Sequence, residues 1–94
     1  MTRLAPSVTI VDLALAHGEW LRLLRTLRER SPASKLIVLS VYDELSVARA
    51  AMGAGVDAFV LKRALATDML DAVAAVLGDR SYISPGVRGS SPQE

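Results

Sequence analysis

Three short aliphatic runs, each stopped by a single polar residue, constrain this chain more than any other feature. Val8-Thr9-Ile10-Val11 ends at Asp12, Leu36-Ile37-Val38-Leu39 ends at Ser40, and Ala58-Phe59-Val60-Leu61 ends at Lys62. Runs this short and this aliphatic suit strands, and a continuous apolar run suits a parallel strand covered on both faces. Between and after them the period changes. Residues 19–30 carry Trp20, Leu23, Leu24 and Leu27 at helical spacing, and Ser31-Pro32 stops the pattern. A second helix is expected over 44–54, with Leu45, Ala48 and Met52 inward and Gly53 and Gly55 bracketing its end. A third is expected over about 66–77, with Leu70, Val73, Ala74 and Leu77 as its stripe and Gly78 closing it. Strand, helix, strand, helix, strand, helix implies an α/β fold: three parallel strands alternating with three helices through right-handed crossovers.

Composition narrows the class. The chain has 94 residues, 51% of them hydrophobic and 4% aromatic, enough aliphatic surface for one core and one domain. The formal charge of +1 provides no global field for nucleic acid or an anionic membrane. With no cysteine, disulfides, thiolate metal sites and cysteine nucleophiles are excluded together. The start, Met1-Thr2-Arg3-Leu4-Ala5-Pro6, does not read as a signal peptide, and no apolar run is long enough for a spanning helix. A cytoplasmic protein with no membrane contact is the expectation. From about Gly86 the composition turns to Gly, Ser, Pro, Gln and Glu, so 86–94 reads as a linker-like tail.

In parallel sheets, polar residues at the carboxyl ends of strands converge outside the sheet edge. Here that convergence joins a carboxylate, a hydroxyl and an ammonium: Asp12, Ser40 and Lys62. Taken alone, the trio reads first as a polar rim with a salt bridge and a turn residue. It also suits one reaction, in which a carboxylate accepts a phosphoryl group while a lysine and a hydroxyl hold the added oxygens.

The wider sequence resembles the middle and end of a bacterial two-component receiver domain. The resemblance is carried by Val8-Thr9-Ile10-Val11-Asp12-Leu13, by Trp20 through Pro32, by Lys35-Leu36-Ile37-Val38-Leu39-Ser40, and by Ala48 through Lys62. Tyr82-Ile83-Ser84-Pro85 is similar to the exit of regulators with a helix-turn-helix output of the nitrate-response type. The resemblance implies a truncated flavodoxin-like receiver fold over 1–85. Asp12 takes the phosphoacceptor position, Ser40 and Lys62 the phosphoryl contacts, and Phe59 the aromatic that swings inward on activation. The backbone carbonyl of Ala14 takes a magnesium-ligand position beside Asp12.

The departures are equally definite. The family's first strand, first helix and second strand have no counterpart, and residues 1–11 contain no Asp or Glu to supply its acidic pair. Mg²⁺ held by Asp12 and Ala14 alone would be weakly bound. Ala16 and Trp20 stand where proline and glycine are usual, and Arg63 follows Lys62 where proline or serine is common. The expected function is therefore a degenerate or truncated receiver in two-component signalling, not an enzyme, acting by association with itself or another receiver. The alternative is a working receiver, phosphorylated at Asp12 by a histidine kinase and regulating transcription through a separate output domain. DNA binding by this chain is not expected. The Arg22, Arg25 and Arg28 stripe reads as a solvated helix face, and His17, without partners, as incidental. A normally central strand at Asp12 would become an open edge, which favours association.

Overall fold

A computed structural model of the chain describes residues 8–13 and 19–87. The elements in chain order are β1 (Val8–Asp12), α1 (Trp20–Arg30), β2 (Lys35–Ser40), α2 (Leu45–Gly53), β3 (Ala58–Leu61), a 3₁₀ turn (Lys62–Ala64), α3 (Leu65–Leu77) and β4 (Tyr82–Ile83). The four strands form one parallel sheet in the order β1-β2-β3-β4. The three strands expected from the aliphatic runs are all present. The fourth, two residues long, was not expected; too short to show a period of its own, it is held by Tyr82 N–H donating to Asp57 O at 3.1 Å and Ser84 N–H donating to Phe59 O at 2.9 Å.

Alternation along the strands divides the core into two. Leu36, Val38, Phe59 and Leu61 face α1 and α2, where they pack with Leu24, Ala48 and Ala51. Ile37, Ala58 and Val60 face the other way, onto Ala72 and Val76 of α3. Each fully buried aliphatic side chain of this kind contributes about 1.5–3 kcal/mol relative to exposure.

Two helix faces differ from the sequence reading. In α1, Leu24 is buried and Trp20, Leu21 and Leu27 pack against the core, but Leu23 lies at the surface. In α3 the stripe is rotated. Ala72, Ala75 and Val76 are buried, whereas Leu70 is 78% and Leu77 58% exposed. Small or β-branched residues, with Met69, line the contact over Ile37, Ala58 and Val60, and Leu70 and Leu77 lie on the side of the helix turned away from it. Asp68, near the buried side of the helix, accepts from Ser84 beside β4.

Arg28 is not part of a solvated stripe. Its Nε donates to Gly55 O at 2.9 Å, its Nη1 to Ser34 O at 2.8 Å and Pro32 O at 3.1 Å, and its Nη2 to Asp57 Oδ2 at 2.7 Å. The same Asp57 oxygen accepts the Leu36 N–H at 2.9 Å. One guanidinium thus fastens α1 to the entries of β2 and β3. Gly55 has φ +104°, and a Cβ there would stand 2.8 Å from Arg28 Cγ, so glycine is required both by backbone and by space.

Candidate functional site

The register brings the three strand ends level. Asp12 lies beside Leu39, Ser40 beside Leu61, and Lys62 follows as the first residue of the 3₁₀ turn. Lys62 reaches across the end of β2 to Asp12, with Nζ 2.7 Å from Oδ2 and about a third of each side chain exposed. The carboxylate and the ammonium expected to converge do so. Partial burial strengthens such a charge-assisted pair, since less water competes for either partner.

Ser40 is buried at the neighbouring strand end. Its hydroxyl accepts the Tyr42 N–H at 2.8 Å and donates to Tyr42 O at 3.3 Å, so it pins the first turn of the loop after β2. Phe59 is fully buried among Leu36, Val38 and Ala48. Phenylalanine has no hydroxyl to draw its ring toward water, and the pocket under α2 accepts it whole. Ala14 and His17 lie outside the described residues.

The loops around the pair are polar. Asp43 accepts from Arg63 Nη1 at 3.1 Å, and Glu19 lies 3.9 Å from Arg22 on the surface. Among the described residues no group of three His, Asp or Glu side chains is close enough to hold a metal. At the strand ends the Asp12 carboxylate is paired with Lys62. Chemically, the arrangement presents a lysine-held carboxylate at the strand ends, one strand from a buried hydroxyl.

Sequence reasoning missed the buried hydroxyl of Ser84, which accepts the Leu61 N–H at 3.0 Å and donates to Asp68 Oδ2 at 2.8 Å. Nothing in the local pattern marks a serine before a proline as buried. Arg63 was noticed only as a departure. Its position between Asp43 and Gly86 depends on loops whose paths no periodicity encodes.

The parallel sheet ends in a lysine-paired aspartate with a buried hydroxyl on the strand between them. Residues 1–74 match the response regulator receiver domain, and the chain belongs to that family, a signalling module and not an enzyme. It is 35% identical over 71 residues to the photosynthetic apparatus regulatory protein RegA of Rhodobacter capsulatus, covering 76% of this chain and 39% of that protein. Its fold matches the isolated REC domain of RcsB from Salmonella enterica serovar Typhimurium in the apo form. There the TM-score is 0.77 at 25% identity, over 89% of this chain and 62% of the other. It also resembles a response regulator protein from Burkholderia pseudomallei solved with a phosphorylated aspartic acid, calcium ion and citrate. That match has a TM-score of 0.60 at 26% identity, over 77% of this chain and 45% of the other. The chain spans about two fifths of the RegA protein it matches. Receiver domains of this family typically carry a divalent metal at the phosphorylation site. Among the described residues no helix is long and apolar enough to cross a membrane.

Proposed function

We propose that the chain is a partial receiver over 1–85, its 86–94 tail held to the domain at Gly86 and Val87, which works by association without phosphoryl transfer. Its partner is a second copy of itself. The observation that carries this reading is the position of β1. The strand stands at the edge of the described sheet, with Ile10 51% exposed. An edge strand beside apolar surface is a template for strand pairing. That no group of three His, Asp or Glu side chains is gathered among the described residues supports the second half of the reading, because phosphoryl transfer needs a cation to offset charge in the transition state.

A second reading has an observation of its own. Asp12, Ser40 and Lys62 stand in the order that phosphoryl acceptance uses, and the lysine already touches the carboxylate. On that reading an Asp12 carboxylate oxygen attacks phosphorus, the bond to the kinase histidine breaks, and an acyl phosphate remains. Its output would be transcriptional, through a separate domain of the nitrate-response type. Intact mass after incubation with acetyl phosphate and Mg²⁺, with Asp12→Asn as control and circular dichroism to verify folding, separates the two. The association reading expects no adduct on a folded protein. An adduct lost in Asp12→Asn overturns it in favour of the second.

A further inference from the structure

The chain leaves the sheet as a short strap, 84–87, laid against the end of β3. Ser84, 1% exposed, is its anchor. Its N–H donates to Phe59 O, and its hydroxyl joins the Leu61 N–H to Asp68. The strap then turns, with Val87 N–H donating to Ser84 O at 3.1 Å and the Val87 side chain packing on the core beneath α1 and α2. The approach is close: a Cβ on Gly86 would stand 3.0 Å from Leu61 Cδ1. The strap therefore touches the last residue of β3, next in sequence to Lys62.

On the other side of the strand ends lies the loop that Ser40 pins through Tyr42, with Asp43 next in the chain. Arg63 spans the two. Its Nη1 donates to Asp43 Oδ2 at 3.1 Å and its Nη2 to Gly86 O at 3.3 Å. A guanidinium holds two partners on separate nitrogens in one plane, so moving one reorients the group toward or away from the other. A lysine, a point charge, has no such rigid fork.

We propose that Arg63 is a coupling residue that passes the position of the Ser40 loop to the strap where the chain leaves the domain. It is a positioning residue, and the coupling goes beyond the proposed function, because it operates whether or not Asp12 accepts phosphate. The bridge is exposed, so its effect is local and modest; pairs of this kind change an equilibrium by about two- to fivefold.

The test is amide exchange at Val87 in the whole chain, in a double-mutant cycle. Asp43→Asn releases the loop end of the bridge. It is expected to raise Val87 exchange about threefold while the urea midpoint stays unchanged. In an Arg63→Ala background the same substitution is expected to add nothing, and Arg63→Lys is expected to uncouple the two as Arg63→Ala does. The proposal is overturned if Asp43→Asn leaves Val87 unchanged in the Arg63 protein, if its effect is equal with and without Arg63, or if Arg63→Lys retains full coupling. A purely structural Arg63 would shift the urea midpoint and give additive exchange effects, which also overturns it.

Discussion

Arg28 carries more of the fold than any other single side chain whose bonds are described. Four of its hydrogen bonds end on Gly55, Ser34, Pro32 and Asp57, three of them on backbone carbonyls. Arg28→Ala is expected to cost about 2 kcal/mol in urea denaturation, since bonds to charged groups are worth more than neutral ones. Arg28→Lys is expected to recover less than half, because one ammonium cannot reproduce the fork. Ser84→Ala is a cleaner case. It removes the acceptor of the buried Leu61 N–H and the donor to Asp68, and is expected to cost about 1–2 kcal/mol by the same measurement. At this scale the strand-end residues were legible from the sequence, because a polar residue closing an aliphatic run has few places to point. Arg28 and Ser84 were not. Their partners lie 16 to 29 residues away for Asp68, Leu61, Gly55 and Asp57, and such contacts exist only once the crossovers have been made.

The strands declared themselves by continuous burial, whereas α3 declared its existence and concealed its phase. Leu70, Val73, Ala74 and Leu77 form a valid helical stripe, yet the buried side is Ala72, Ala75 and Val76. Alanine gives little hydrophobic signal, so periodicity follows the larger leucines even where close packing selects the small residues. The two phases predict opposite outcomes. Leu70→Glu is expected to change stability by less than about 0.5 kcal/mol, whereas Ala72→Leu is expected to cost about 1–3 kcal/mol by overpacking. A second element-scale contact ties β2 to the turn before β4. Lys35 Nζ lies 2.9 Å from Asp79 Oδ1, in a turn where Asp79 has φ +62°. The hydrogen bond to Asp79 raises the Lys35 pKa, the bond from Lys35 lowers that of Asp79, and burial raises that of Tyr82. A raised folded-state value keeps its stabilisation below the unfolded value and loses it as pH rises. Lys35 and Tyr82 therefore both weaken the fold above about pH 10, while Asp79 loses its contribution only below about pH 4. Urea midpoints are expected to be flat between these limits and to fall on the alkaline side, with a smaller alkaline fall in Tyr82→Phe.

At the scale of the whole molecule, the proposed association turns on β1, which stands at the edge of the described sheet. Val8 to Val11 contains no lysine or proline to guard the edge, and its one flanking charge, Asp12, is held by Lys62. A two-fold axis normal to the sheet pairs β1 with β1 of a second copy in antiparallel fashion. Ile10 then meets Ile10, Asp12 meets Val8, and no like charges oppose. It also places the α3 helices of both copies on one face of the joined sheet. Parallel pairing would instead set Asp12 against Asp12 and turn the two α3 helices to opposite faces. The net charge of +1 adds no repulsion between copies. Light scattering at micromolar concentration is expected to give twice the chain mass, and Ile10→Lys, which sets a charge against its own copy at the axis, is expected to give a monomer that keeps its helical circular dichroism. A monomeric Ile10 protein removes the edge as the association surface. An Ile10→Lys protein that remains dimeric moves the interface elsewhere and leaves the proposed association standing.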